Sequence, residues 1–156
     1  MDRRMKEGID YKQLCHKIIA RWRDDNVPLN AGATEQELSE FEMQFGLTLP
    51  PDFRYFYSQV NGMPDLESDA RFFSLWSLSR MIQEADGIIF DRTVTPPRME
   101  IAFGDFLIDS HRFHLRRDEH GRFSVTAQII KGENLADDFT QFLAMYLSGS
   151  DKLGLF

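Results

Sequence analysis

The stretch that decides the fold is residues 33–62, which read ATEQELSEFEMQFGLTLPPDFRYFYSQVNG. Thr34 is suited to cap a helix, because its hydroxyl can accept a hydrogen bond from a free amide of the first turn. Glu37 follows three residues later and can complete a capping box. Gly46 can take the left-handed conformation that ends a helix. Between them, apolar residues recur at helical spacing and form one stripe: Leu38, Phe41 and Phe45.

A second helix is predicted from residues 50–52, Pro-Pro-Asp. Proline is tolerated in a first helical turn, and Asp52 places a negative charge at the positive end of the helix dipole. Asn61 and Gly62 are typical of a helix end. The apolar stripe of this helix comprises Phe53, Phe56, Tyr57 and Val60. We therefore expect a two-helix unit whose large rings pack into the core.

The rest of the chain predicts one helix before this unit and mostly strands after it. Short turns join the later strands, which favours antiparallel pairing and an α+β fold class. Gly104 and Asp105 predict a turn or bulge beside a strand. The predicted strands cover residues 71–76, 99–103, 107–116 and 123–130, and residues 87–90 are predicted to form either a short strand or an extended connector. The predicted helices cover residues 10–23 and 78–84, together with a last helix whose apolar stripe runs from Leu135 to Leu147.

Length and composition bound the class of protein. A chain of 156 residues predicts a single domain over 1–156, with a helix and loop at 10–32, a core at 33–147 and a tail at 148–156. Cys15 is the only cysteine, which excludes an intrachain disulfide and favours a cytoplasmic location. The N-terminus lacks the apolar run of a signal peptide, and no stretch is long enough to span a bilayer, so we expect no membrane association.

Several short motifs follow one another in a fixed order, at residues 34–38 (TEQEL), 45–50 (FGLTLP), 52–56 (DFRYF), 61–62 (NG), 73–76 (FSLW) and 101–105 (IAFGD), before the closing helix at 139–146. Together they resemble the SUKH superfamily of Smi/Knr-type domains over residues 33–147. The resemblance implies an α+β domain whose central, largely antiparallel sheet packs with N-terminal helices and a C-terminal helix.

The same resemblance bears on function. Most bacterial members resemble immunity proteins that bind and neutralise a toxin, often a nuclease or a deaminase, and the fungal members look like interaction hubs. The superfamily has no recognised catalytic residues. The resemblance therefore implies a protein-binding domain, most often an immunity protein, and leaves a regulatory scaffold as an alternative. We expect the protein to be a monomer or weak dimer.

Charge points to the kind of partner. The net charge of −7 argues against a nucleic-acid partner, which would need a basic face, and is compatible with a basic toxin domain. Residues 61–91 hold six acids against two bases. This acidic region predicts either a docking surface for a basic protein or a solvated loop. The candidate partner-binding residues are Asp65, Glu67, Asp69, Glu84, Asp86 and Asp91.

One pair of residues leaves a catalytic alternative open. On a predicted strand at 107–116, Asp109 and His111 share a face and could serve a small hydrolase as an acid–base pair. His111 and His114 are three positions apart and point to opposite faces, so they cannot bind one metal ion together. We therefore expect no metal and no cofactor.

Overall fold

The computed structural model describes residues 10–84, 89–91, 93, 98–109, 111–127, 134–150 and 153. Within these residues the helices are α1 (Tyr11–Asp24), α2 (Glu35–Phe45), α3 (Pro51–Gln59), α4 (Leu78–Gln83) and α5 (Phe139–Ser148). The strands are β1 (Phe73–Leu75), β2 (Ile89–Asp91), β3 (Arg98–Phe106), β4 (His111–Arg117), β5 (Phe123–Ala127) and β6 (Asn134–Ala136). The predicted α+β class, with N-terminal helices and a C-terminal helix, is confirmed.

Strand β3 organises the sheet. The strand order is β1-β3-β4-β5-β6. Strands β1 and β2 pair with opposite ends of β3, both along the edge of β3 that faces away from β4. All of these pairings are antiparallel. The register against β4 shifts between Ala102 and Gly104, which is the bulge that the sequence predicts at this point. A side chain at Gly104 would come within 2.8 Å of the Ser74 carbonyl oxygen, so glycine lets β1 pair closely there.

The core forms where α3 and α5 cover one face of the sheet. The ring of Phe103 on β3 lies 5.9 Å from the ring of Phe53, 5.6 Å from Phe139 and 5.2 Å from Phe142, each with edge-to-face geometry. Such aromatic pairs contribute about 0.5–1.5 kcal/mol beyond the area that they bury. Helix α1 packs on the same layer through Trp22, whose indole donates a hydrogen bond to the Tyr146 hydroxyl.

The two-helix unit follows the prediction at its start. The Thr34 hydroxyl accepts a hydrogen bond from the Glu37 amide at 3.0 Å, and the Glu37 carboxylate accepts one from the Thr34 amide at 2.8 Å, which completes the capping box. Gly46 ends α2 in the left-handed conformation, with a φ of 65°.

The end of α3 differs from the prediction. The helix stops at Gln59, and Val60 is extended because it bridges to Ala31. Gly62 then takes a φ of 65°, and a side chain there would come within 2.4 Å of the Trp76 carbonyl oxygen. The Asn-Gly pair therefore does not end the helix. Its glycine instead lets the chain pass close to the end of β1.

Three other expectations need correction. Leu135 belongs to β6 and not to the last helix, because Asp138 is the residue that caps α5, accepting a hydrogen bond from the Gln141 amide at 2.7 Å. Strand β1 is only three residues long, since Phe72 has a φ of 73°. The predicted strand at 107–116 is interrupted, because residues 107–109 take left-handed conformations and β4 begins at His111. The predicted strand residues 87–88 and 128–130 lie outside the described residues.

Burial of single groups agrees with the pattern in the sequence. Phe56, Phe142 and Cys15 are fully buried. Burial raises the pKa of the Cys15 thiol to about 12, so that this side chain behaves as a small apolar group. No helix in the described part of the chain is long and apolar enough to cross a membrane.

We predict that Phe56→Ala and Phe142→Ala each lower the free energy of unfolding by about 3–5 kcal/mol, because each leaves a cavity in the aromatic core. Thermal unfolding should show a fall in Tm of roughly 6 °C or more. Met43→Ala is the control, since Met43 is 80% exposed and its truncation should leave Tm nearly unchanged. A shift of only a degree or two for the phenylalanine variants would contradict the packing described here.

Candidate functional site

Two loops meet beside β1. One is the 64–72 loop, which precedes β1, and the other is the 107–109 turn, which follows β3. The Leu107 amide donates a hydrogen bond to the Phe72 carbonyl at 3.0 Å, which joins the two loops. We call the exposed residues of both loops the two-loop surface. It comprises Asp65, Leu66, Glu67, Ala70, Phe72, Leu107, Ile108 and Asp109.

The two-loop surface exposes large apolar side chains. Leu66 is 92% exposed, Phe72 54%, Leu107 40% and Ile108 91%. These are four of the six large apolar side chains that are exposed within the described residues. Apolar side chains gathered at one place on a surface are typical of a site that binds another molecule.

The same four residues have unfavourable backbone conformations. Their φ angles are 71° for Leu66, 73° for Phe72, 54° for Leu107 and 51° for Ile108. A left-handed conformation costs a residue with a side chain about 1–2 kcal/mol, and a β-branched residue such as isoleucine adopts it rarely. Such conformations persist only where the surrounding structure holds them, and they cluster at functional sites.

A cavity of about 420 Å³ lies between the loops. Its walls combine the apolar side chains with polar groups from the sheet and α4. Ser74 and Asp105 come from the sheet, and Arg80 comes from α4. The other lining residues belong to the loops: Leu66, Glu67, Ser68, Phe72, Ile108 and Asp109.

Trp76 and Asp105 support the 107–109 turn from below. The buried Trp76 indole donates a hydrogen bond to one Asp105 carboxylate oxygen at 2.7 Å. The other Asp105 oxygen accepts a hydrogen bond from the Asp109 amide at 3.0 Å. The Arg80 guanidinium lies 4.2 Å from the centre of the Trp76 ring and 3.7 Å from the Asp105 carboxylate, which compensates the charge of that buried acid.

Arg112 fixes the same turn from the side. Its guanidinium donates two hydrogen bonds to the Asp109 carboxylate, at 2.7 and 2.9 Å, and a third to Glu84 at 3.3 Å. Chiefly through the hydrogen bond, and then through its charge, Arg112 holds the pKa of Asp109 below its ordinary value. The strained turn is therefore held by buried and half-buried charged groups.

The candidate acid Asp69 has a different place from the one expected. It is buried, and one carboxylate oxygen accepts hydrogen bonds from the Arg71 amide at 2.8 Å and the Phe73 amide at 2.9 Å. The other accepts a short hydrogen bond from the Tyr146 hydroxyl. Burial, and then the neighbouring Asp69 carboxylate, raises the pKa of Tyr146, so this hydroxyl remains a donor. Asp69 thus ties the 64–72 loop to α5 and is not an exposed contact.

The other candidate acids are distributed unevenly. Asp65 and Glu67 are exposed on the 64–72 loop. Glu84 is half-buried and contacts Arg80 and Arg112, in the network below the turn. Asp86 and the side chain of Asp91 lie outside the described residues. Glu67 therefore lines the same cavity as Arg80, the ion-pair partner of Glu84, and Asp65 lies two residues before Glu67 on the 64–72 loop.

The hydrolase alternative loses its geometric basis. Asp109 lies in the exposed turn and bonds to Arg112, whereas His111 is buried in β4 against the rings of Phe106 and Phe113. The His111 Nε2 atom is 3.3 Å from the Leu153 carbonyl oxygen. The two residues do not share a strand face, because the turn ends before His111. Among the residues described, no three His, Cys, Asp or Glu side chains come together as possible metal ligands.

Sequence reasoning missed the apolar part of this surface. Two large rings near the loops, Trp76 and Phe106, are fully buried and cannot touch a partner. The sequence pattern predicts Phe72, Leu107 and Ile108 to lie in strands. The available signal was the apolar run from Phe106 to Ile108, which breaks the polar–apolar alternation of a half-buried strand.

The two loops expose apolar side chains and are held in place by charged groups that bond to one another. These are features of a protein-interaction domain. The chain belongs to the SMI1 / KNR4 family (SUKH-1), whose model matches residues 32–145. This match includes both loops and the charged groups below them. Membership supports a protein-interaction or immunity-type domain in general. No curated protein matches the chain.

We predict that Ile108→Gly leaves the protein as stable or stabilises it by up to about 1.5 kcal/mol. Glycine relieves about 1–2 kcal/mol of left-handed strain and costs about 0.5–1 kcal/mol in chain flexibility. The matched control is Met43→Gly, which removes an exposed apolar side chain from a regular helix and should destabilise by about 1 kcal/mol. Urea unfolding measures both. Equal losses for the two variants would show that the turn is not strained.

Proposed function

We propose that the protein is a cytoplasmic, non-catalytic immunity protein that binds and neutralises a basic toxin domain of nuclease or deaminase type, as a monomer or weak dimer. The observation that carries this proposal is the coincidence at the two-loop surface of exposed apolar side chains and left-handed backbone. Strained backbone and apolar side chains exposed to water both lower the stability of the free protein. A bound protein would bury those side chains and so offset that cost.

Charge supports a basic partner. Asp65 and Glu67 are exposed beside the apolar side chains, and neither carboxylate has a hydrogen-bond or ion-pair partner among the residues that the structure describes. The nearby guanidinium groups are already engaged, Arg80 with Trp76 and Arg112 with Asp109. A basic protein would therefore meet uncompensated negative charge, which accelerates association.

A binding role also accounts for the state of the reactive side chains better than a catalytic one does. Cys15 is buried and its pKa is raised, and His111 is enclosed by aromatic rings. A nucleophile or general base needs access to substrate, and neither side chain has it. We infer that inhibition occurs by occlusion of the toxin.

Co-expression tests the proposal directly. The chain is expressed in bacteria together with the toxin domain encoded beside its own gene, and survival is compared with that of cells carrying the toxin alone. Protection, with a stable complex of the purified proteins, is the expected result. Absence of both protection and binding would overturn the immunity role. Binding without protection would favour the scaffold alternative.

We predict that the double variant Asp65→Asn, Glu67→Gln binds the toxin with a severalfold slower association rate and a shallower salt dependence. Exposed charges act over about 8–10 Å at physiological ionic strength, so their removal weakens steering and leaves dissociation nearly unchanged. Stability should hold, since both residues are exposed. Asp69 is left intact, because its buried carboxylate accepts three hydrogen bonds. Stopped-flow kinetics across salt concentrations provides the measurement.

The matched control is Asp24→Asn, Asp25→Asn, which removes the same charge from the exposed end of α1. This control should retain the wild-type association rate within about twofold. Equal slowing by both double variants would attribute steering to net charge and would remove the special role of the 64–72 loop.

A further inference from the structure

The two-loop surface combines a cavity, apolar walls and an acidic rim, and these features together define the chemistry of a ligand. We infer that it recognises a protein segment in which one large apolar side chain is flanked by lysine or arginine. The apolar side chain enters the cavity between the loops, and the basic side chains lie against the rim. The inference rests on the proposed function, in that the toxin would carry this segment.

The cavity has the size and lining for an apolar anchor. Its volume of about 420 Å³ falls within the range of about 300–1,000 Å³ that is typical of ligand pockets. Leu66 and Ile108 form part of its walls and are more than nine-tenths exposed. Burying apolar side chains in a bound complex is favourable, so the loops offer apolar area that a partner can cover.

The acidic side chains around the cavity, which form its rim, favour basic side chains in a partner. In and beside the cavity wall, three carboxylates (Glu84, Asp105 and Asp109) face two guanidinium groups (Arg80 and Arg112), which leaves an excess of negative charge. The exposed carboxylates of Asp65 and Glu67 add to that excess. Arg71, a further cation among the residues that the structure describes here, donates to the Tyr146 carbonyl at 3.0 Å and lies over the rings of Phe73 and Tyr146.

A second groove allows a comparison within the same molecule. It lies between α2 and α4, has a volume of about 690 Å³, and is also lined by acids and by the exposed apolar residues Met43 and Ile82. Both apolar residues have ordinary helical backbone, so this groove carries none of the strain found in the loops. The groove between α2 and α4 therefore serves as the control, and the cavity between the two loops is the proposed site.

Selection from a random-peptide phage library tests the inference without any knowledge of the toxin. The purified full chain is immobilised and the enriched peptides are sequenced and synthesised. Their binding is then measured by calorimetry against the wild type and three variants. These are Leu66→Ser with Ile108→Ser, Asp65→Asn with Glu67→Gln, and the control Met43→Ser in the other groove. Circular dichroism verifies that each variant is folded.

The expected peptides carry a large apolar residue beside lysine or arginine. Their affinity should fall about tenfold or more with the apolar double variant, fall severalfold with the charge variant, and stay unchanged with the Met43 control. The inference is overturned if no peptide is enriched, if the enriched peptides lack basic residues, or if their binding depends on Met43 and not on Leu66 and Ile108.

Toxin protection separates this inference from the proposed function. If the variant Leu66→Ser with Ile108→Ser still protects against the toxin, the immunity role stands and the two-loop surface is refuted as the binding site. If the wild-type chain enriches the expected peptides but neither binds the toxin nor protects against it, the two-loop surface stands as a binding site and the immunity role is refuted.

Discussion

The position of Trp76 is the constraint on which the rest of the structure depends. Its carbonyl accepts a hydrogen bond from the Tyr57 hydroxyl of α3 at 2.8 Å, and its amide donates to the Phe103 carbonyl of β3 at 2.8 Å. Its indole supports the exposed turn through Asp105, and Gly62 passes directly against its backbone. Because all of these groups are buried, displacement of Trp76 would leave several of them unsatisfied at once. The helix layer, the sheet and the two-loop surface are therefore positioned by one residue.

The features that the sequence predicted correctly depend on short-range signals. The capping box at Thr34 needs only residues three apart, and Gly46 ends α2 through its own backbone freedom. Phe56 and Phe142 lie in the middle of apolar stripes, so helical periodicity was sufficient to predict their burial. The bulge near Gly104 was also visible, because glycine in a strand often marks one. Local pattern and tertiary packing agree at these positions.

The features that were missed depend on partners far away in the chain. Asp69 looked like one more acid of a solvated loop, but Tyr146 and two amides draw it into the interior. The strand predicted through Leu107 and Ile108 follows local propensity, which the hydrogen bond from Leu107 to Phe72 and the support from Asp105 override. Locally unfavourable conformations are expected where a structure serves binding. The most informative part of the surface was for this reason the hardest part to predict.

The central claim is that the strained loops are already held in place in the free protein. Amide hydrogen exchange, followed by NMR without any partner, tests it at Leu107 and Asp109, whose amides donate to the Phe72 carbonyl and the Asp105 carboxylate. Both amides should exchange far more slowly than amides of an unstructured peptide, despite their exposed turn, with the Trp76 amide as a buried reference. Exchange of Leu107 and Asp109 at unstructured rates, while the Trp76 amide remains protected, would show that the surface is not preformed and would contradict the account.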